Sequence, residues 1–311
     1  MALVVMENEG LNYNIIKGFT NFGNTCFYNA TLQSIFRCKK LIEKLKNYEG
    51  ENKLLKFLQI TIKDYYLSPH VEVIGPSLLL RSYRQMNTNY QHGSQEDARE
   101  CLTYFLDNFD MATTAEGLDI KKLFDYNLKS VIECPICHNK VESNADEKVI
   151  LLPISNHNNF SDALAQFLSV EKLDGDNKWK CEKCNKHVEA NKRLIINGTP
   201  EYLYISLKRF EQEYIKELNK IRVRRINTEI NMPNEFELNH ADYKLTGIII
   251  QYGGLDGGHY VYYHKITDEW TLFNDERLSS ESNEDRIKKS GYIYLYEKQT
   301  NKVRRSEAKF I

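Results

Sequence analysis

The chain has 311 residues, 42 Lys and Arg against 43 Asp and Glu, and a net charge of −1, so its composition gives no sign of a nucleic-acid-binding or membrane-binding surface. The length suffices for one elaborated domain or two smaller ones. No apolar run of about 18 residues occurs, which excludes a predicted spanning helix, and the start, Met1-Ala-Leu-Val-Val-Met-Glu-Asn-Glu9, has no basic segment and does not read as a signal peptide.

The first predicted element is Gly18-Phe-Thr-Asn-Phe-Gly-Asn-Thr-Cys-Phe-Tyr-Asn-Ala-Thr-Leu-Gln-Ser-Ile-Phe36. Gly23 and Asn24 break regular structure and are expected to supply a cap. An apolar helical pattern follows through Phe27, Leu32, Ile35 and Phe36. Cys26 stands where loop becomes helix, where unpaired backbone N–H groups and the helix dipole favour negative charge on a thiol. The plain alternative is a small buried hydrophobe, as most free cysteines are. A base elsewhere in the chain decides between the two.

Lys39 to Leu67 reads as helical, with Leu54, Leu55, Leu58 and Ile62 on one side, before Pro69 and Gly75-Pro76 break the pattern. In the stretch from His92 to Phe109, Ser94 is the expected N-cap, and Glu96 and Asp97 suit the first turn. Ala98, Cys101, Leu102, Phe105, Leu106 and Phe109 then form one apolar stripe, so Cys101 is core. Asp97 and Glu100 lie off the stripe, either free to meet a cationic ligand or simply a solvated helix start.

From Leu123 the pattern turns to short strands. Cys134-Pro-Ile-Cys137 and Cys181-Glu-Lys-Cys184 form two knuckles with 43 residues between them. Four thiolates in two such knuckles suit a tetrahedral zinc with no open position, hence a structural one. The segment between carries a strand-like piece, Lys148–Ile154, and a helix-like piece, Ser161–Leu168. His138 and His187 beside the knuckles are taken as bystanders. Seven cysteines, four of them so paired, fit a reducing compartment, with the cytoplasm expected and the nucleus left open.

Tyr202–Phe210 reads as a strand ending in a basic pair, and Glu211 to Arg225 as an exposed charged stretch. Tyr243–Tyr252 is a further strand, followed by the loop Gly253–Gly258. His259 opens the strand His-Tyr-Val-Tyr-Tyr263, Asp268–Asp275 gives another, and Gly291–Tyr296 the last. A histidine at a strand edge is more often structural. Here it follows a glycine loop that lets an extended peptide pass close to the backbone. Asn274 or Asp275 provides a group to orient its imidazole. A Cys–His–Asn/Asp set spread over a long sequence is the expected form of a cysteine protease.

These residues resemble the ubiquitin-specific protease family. Gly18-x-x-Asn-x-Gly-Asn-Thr-Cys-Phe-x-Asn-x-x-Leu-Gln33 is similar to its cysteine box and Gln95-Glu-Asp-Ala-x-Glu100 to its acidic helix start. The two knuckles, Leu207-Lys-Arg-Phe210, Gly257-Gly-His-Tyr260 and Trp270-x-x-Phe-Asn-Asp275 follow in the family's order. The resemblance implies an α+β, papain-like cysteine protease with a right-hand architecture. Residues about 18–115 would form a helical thumb, about 120–200 a zinc-tipped antiparallel β finger region, and about 201–300 a palm, all within a single catalytic domain. It implies hydrolysis of the bond after the C-terminal glycine of ubiquitin, with ubiquitin and ubiquitinated proteins as partners of a monomer.

By the same resemblance, Cys26 is the nucleophile, His259 the base, Asn274 the third member and Asn21 the oxyanion donor, with Asp275 beside them. Asp97 and Glu100 hold arginines of the ubiquitin tail, and Gln95, Gly257, Gly258 and Tyr260 belong to the substrate site. Zn²⁺ is held by Cys134, Cys137, Cys181 and Cys184. Gln251 and Tyr252 depart from the family, where many members carry a histidine and a small residue. A protease for another ubiquitin-like modifier and a catalytically silent ubiquitin-binding scaffold are the rival readings. The intact Cys26, His259 and Asn274 weigh against the second.

Overall fold

Every residue of the helix Cys26–Phe36 is buried. This helix packs against the helix Ala98–Ala115 and the strand Gly258–Ile266, and its polar members Asn29, Thr31, Gln33 and Ser34 are hydrogen-bonded inside. It lies in the first of two units of a computed structural model that describes residues 11–87, 93–215, 219–254 and 258–300. That unit holds the residues up to 120 and 249–284, and the second holds 121–248 and those from 285.

In the first unit, the stripe Ala98, Cys101, Leu102, Phe105, Leu106 and Phe109 is buried as its spacing predicts. Two expectations fail nearby. The helix expected over Lys39–Leu67 is two helices, Lys39–Leu45 and Lys53–Leu67, because Asn52 turns extended (φ −65°, ψ 120°) and its side chain caps Leu54 and Leu55 N–H. The helix after His92 begins at Ala98, and its cap is Asp97 rather than Ser94. Glu96 therefore precedes the helix.

The strands Gly258–Ile266, Glu269–Asn274 and Arg277–Glu281 form an antiparallel meander. Its first turn, Thr267-Asp268, has φ of 46° and 70°, as a twist-matched two-residue hairpin loop requires. The second turn places Asp275 at φ 52° between the paired Asn274 and Arg277. The segment Gly18–Phe19, parallel to Val73–Ile74, lies against that turn. A Cβ on Gly18 would sit 2.5 Å from the Glu276 carbonyl oxygen, so only glycine permits the approach. The Phe19 N–H then donates to the Asp275 carbonyl at 2.9 Å.

In the second unit, Tyr126–Glu133 pairs antiparallel with Lys140–Glu147 and with Ala190–Asn197, which also takes Glu171–Leu173. Lys140–Glu147 is an edge strand exposed throughout, and its charges guard against further pairing. Trp179–Cys181 and Lys186–Val188 form a small hairpin. Tyr202–Lys208 is parallel to Val149–Pro153 and antiparallel to Ile293–Lys298. The charged stretch expected to be exposed, Glu211–Arg225, is largely a hairpin of Phe210–Ile215 with Lys220–Arg225, the second strand exposed at all but its last residue. The helix-like piece between the knuckles is the helix Phe160–Phe167. Buried tyrosines keep their hydroxyls bonded, Tyr243 to Pro200 O, Tyr294 to Lys288 O and Tyr296 to Pro233 O. Among the described residues, no helix is long and apolar enough to cross a membrane.

Candidate active site and metal centre

Cys26 is the first residue of its helix and 1% exposed. The expected cap differs in detail. Thr25 holds the N-cap position, and its side chain makes no capping bond. Its Oγ1 accepts from Phe22 N–H at 3.0 Å and donates to Asn21 Oδ1 at 3.2 Å. No side chain therefore covers the helix end at which Cys26 stands.

His259 lies on the meander strand and reaches both partners. Its Nε2 is 2.6 Å from Asn274 Oδ1, and the ring lies beside the Cys26 thiol. That thiol is the main cause that lifts the imidazole from 6.5 to about 9; burial opposes the rise, and the Asn274 bond and Asp275 charge add to it. The ring thus stays protonated through neutral pH, with an amide fixing its plane.

Asp275 does not bond His259. One carboxylate oxygen accepts from Asn21 Nδ2 at 2.8 Å and the other from Asn29 Nδ2 at 2.7 Å. Asn21 Oδ1 accepts from Gly23 N–H at 2.9 Å and Thr25 N–H at 3.3 Å. The Asn21 amide is thereby locked at both ends, and one N–H of its Nδ2 is left to donate. Asn274 ends its strand and Asp275 enters the turn at φ 52°, so the two side chains part, Asn274 toward the imidazole and Asp275 toward the loop before Cys26. Asn29 stands in the cysteine box but was given no task there. The signal was a polar side chain one turn beyond Cys26 on a helix with no exposed face.

Gln95 clasps Gly258 in both directions, its Nε2 donating to Gly258 O at 2.5 Å and its Oε1 accepting from Gly258 N–H at 2.9 Å. A Cβ on Gly258 would lie 2.7 Å from Tyr252 O, which again demands glycine. Gly257 lies outside the described residues. Tyr260 is 4% exposed, its ring packed inside the unit, so it offers no open contact to a substrate.

Asp97 is more constrained than the pattern implied. Its Oδ1 accepts from Arg99 N–H at 2.7 Å and Glu100 N–H at 3.2 Å, making it a capping group first. With Glu96, Glu100, Gln95, Ser94 and Tyr104 it lines a cleft of about 460 Å³. Glu96 accepts from the Tyr83 hydroxyl at 2.6 Å, and burial raises its carboxyl above the usual range. The cleft is therefore acidic, with Glu100 its exposed member.

In the second unit, the sulfurs of Cys134, Cys137, Cys181 and Cys184 all lie within 4.8 Å of one another. Cys134 and Cys184 are 3.9 Å apart, and Cys137 and Cys181 are 3.7 Å apart. A tetrahedral ion bonded at about 2.3 Å would put its sulfurs about 3.8 Å apart, so the donor set fits a metal ion. The knuckle turns are tight: His138 N–H donates to Cys134 O at 3.0 Å, and His138 and Asn185 adopt φ of 54° and 52°. Backbone N–H groups of Cys137 and Ile136 draw the Cys134 thiol down to about 6, while the neighbouring sulfurs push Cys184 up to about 12. Four sulfurs this close cannot all ionise without a cation among them. Ile132, Leu173 and Trp179 pack around them.

The family model described as ubiquitin carboxyl-terminal hydrolase matches residues 17–296. Among curated proteins, the chain is 27% identical to ubiquitin carboxyl-terminal hydrolase Usp2 of Drosophila melanogaster, over 90% of the chain and 34% of that protein. It is 28% identical to human ubiquitin carboxyl-terminal hydrolase 42, over 90% of the chain and 22% of that protein. The chain thus spans about a third or less of these two relatives. It is 25% identical to ubiquitin carboxyl-terminal hydrolase 12 of Salmo salar, over 90% and 89% of the two chains. Its fold is shared with the SAGA DUB module Ubp8/Sgf11/Sus1/Sgf73 bound to monoubiquitin, at TM-score 0.80 and 23% identity over 96% of this chain and 73% of that one. The same module bound to ubiquitin aldehyde gives TM-score 0.76 and 23% identity, over 95% and 72%. The neighbours bear out the α+β expectation, and the family match runs through every motif of both sites: the chain belongs to the ubiquitin carboxyl-terminal hydrolase family.

Proposed function

We propose that the protein is a thiol-dependent deubiquitinase that hydrolyses the isopeptide or peptide bond after the C-terminal glycine of ubiquitin. The observation that carries the reading is His259 bonded to Asn274, its pKa raised by the Cys26 thiol, beside an Asn21 amide locked by Asp275. Family membership and the relatives' names support ubiquitin as the substrate.

In this reading the Cys26 sulfur attacks the glycine carbonyl carbon. The carbonyl electron pair moves to oxygen, where the free N–H of Asn21 and the Cys26 backbone N–H receive it. The tetrahedral species collapses, the C–N bond breaks, and protonated His259 gives its proton to the leaving amine. A thioester on Cys26 remains. Water then attacks with His259 taking its proton, and the Cys26 sulfur leaves. Asn274 keeps the ring in the orientation both transfers need. The acidic cleft at Asp97 and Glu100 suits a basic tail, and the Gln95–Gly258 clasp supports the loop before His259.

The four cysteines of the second unit would hold zinc. Four protein ligands leave no open position, so the ion would supply structure and no catalysis. Seven free cysteines suit a reducing compartment such as the cytoplasm.

A ubiquitin-based electrophile should label Cys26 in the wild type and fail on Cys26→Ala. Parallel reporters carrying other ubiquitin-like modifiers should react far more slowly. Equal or faster reaction with another modifier would transfer the substrate to it, and no adduct at all would favour a silent ubiquitin-binding scaffold.

A further inference from the structure

One cavity of the first unit takes no part in this chemistry. It holds about 100 Å³, room for roughly three waters or one tetrahedral oxyanion, and too small for a nucleotide. Arg37, Lys39, Lys265 and His264 line it, and no lining residue is acidic.

Each of the four brings positive charge or a ring proton to the cavity wall. Arg37 is 5% exposed. Its Nη1 donates to Tyr13 O and Ile15 O at 3.1 Å each, and its Nη2 to the Tyr65 hydroxyl at 2.7 Å. Its guanidinium faces the rings of Phe273 at 5.0 Å and Tyr65 at 5.6 Å, and its Nε is buried without an acceptor. The buried charge thus meets dipoles and rings, and no carboxylate pairs with it among the described residues. Burying a cation in this way is costly unless an anion offsets it. Lys39 is exposed, with its Nζ 5.7 Å from the Tyr13 ring. Among the described residues, Lys265 carries the only acid attached to the group, Glu284 at 3.3 Å, and its Nζ lies 5.6 Å from the Trp270 ring.

His264 supplies the remaining donor. Its Nδ1 is 3.0 Å from the hydroxyl of Tyr262, a fully buried residue. That hydroxyl has no other acceptor among the described residues, so it donates to Nδ1, and the ring proton resides on Nε2. Burial, with Arg37 and Lys39 nearby, holds the ring neutral, far below its ordinary value. A neutral imidazole with a free N–H, surrounded by cations, is matched to an anion rather than to another cation or an apolar group.

We propose that this cavity binds one tetrahedral oxyanion, as free phosphate or sulfate or as the phosphoryl group of a modified peptide, through Arg37, Lys39, Lys265 and the Nε2–H of His264.

The test is titration of inorganic phosphate into the full chain at constant ionic strength in chloride, read by calorimetry and by thermal melting. Saturable one-site binding is expected, with a Tm that rises with phosphate by mass action. Lys39→Glu, an exposed change, should weaken binding about tenfold or more, the scale of one lost charge-assisted hydrogen bond. His264→Phe should do the same, and Lys172→Glu, exposed in the second unit, should leave it unchanged. In the wild type, phosphate should raise the His264 titration measured by NMR. A phosphoserine peptide that binds tighter than phosphate assigns the site to modified peptides, and one that binds more weakly assigns it to the free ion. Binding that does not saturate, or that Lys39→Glu leaves unaltered, overturns the proposal.

Discussion

The chain uses cysteine in two opposite ways, and the neighbours decide which. At Cys26 a single sulfur meets one imidazole at the first residue of a helix, and the sulfur is the main cause that raises the imidazole pKa. At the knuckles four sulfurs face one another, and the conflict among their charges is drawn out along the set, Cys134 down to about 6 and Cys184 up to about 12. A lone sulfur with a proton acceptor is poised to form and break bonds. Four sulfurs without one are poised to hold a cation. Residue type is the same in the two places, and Cys134 and Cys181 are as buried as Cys26, so neither type nor burial predicts reactivity.

The largest effect should come from breaking the first arrangement. Cys26→Ala is expected to lower turnover about 10⁴-fold or more, the scale for losing a nucleophile from a coupled set. It also removes the main cause of the raised imidazole value, so His259, followed by NMR, should titrate well below about 9. The sign for stability follows from that shift. A folded value above the unfolded 6.5 adds stability below about 6.5, and this is lost as pH rises through about 9. Compared with His259→Gln, the wild type should lose its advantage across that window in denaturant titrations. An unchanged histidine titration in Cys26→Ala would mean that the two groups do not share a proton.

The second arrangement should break structurally. Purified protein is expected to carry a single zinc ion, absent from Cys134→Ser. Chelation should unfold the strands of the second unit, seen by circular dichroism. Intact strands in a metal-free protein would dismiss the comparison at its other end.

Within the first site, Asn21→Ala should lower kcat about 10²–10³-fold with ubiquitin binding retained. Asp275→Ala should reproduce much of that loss, because its carboxylate holds the Asn21 amide. Asn274→Ala should cost about 10²-fold and Asn274→Asp much less, since either side chain accepts the ring N–H. Only the Asn274 variants should move the His259 pH profile strongly. A larger shift from Asp275→Ala would reverse the two roles.

The smallest effect is expected in the acidic cleft. Asp97→Asn keeps a good N-cap while removing charge, so KM should rise by roughly tenfold or less with kcat nearly constant. Glu100→Gln should behave alike. Asp97→Ala should in addition cost about 1 kcal/mol of stability. Unchanged KM in both Asn and Gln variants would leave Asp97 a cap and nothing more.

What the sequence made legible was what its local pattern encodes. Cys26 at a helix start, the stripe from Ala98 to Phe109 and the paired knuckles each depend on spacing within a few residues. Partners chosen by tertiary structure were not legible. Ser94 and Asp97 are both good caps, and the hydrogen-bonding geometry selects Asp97. The break at Asn52 was signalled by Asn47, Gly50 and Asn52, turn-favouring residues that the apolar spacing on either side outweighed. The division of labour between Asn274 and Asp275 depends on the turn at φ 52° and on Asn29, a residue no motif assigned a task.

The bond between Asn21 and Asp275 joins residues 254 positions apart, and that separation sets a clock on synthesis. At about 5–20 residues per second, the loop before Cys26 leaves the ribosome roughly ten to fifty seconds before the turn that locks it. Throughout that interval the eleven-residue helix, buried on every side in the finished protein, lacks the strand that covers it. The nascent chain therefore carries its nucleophile without a base and its most apolar helix without a cover. It is chemically silent and prone to stick until the last quarter of the protein emerges.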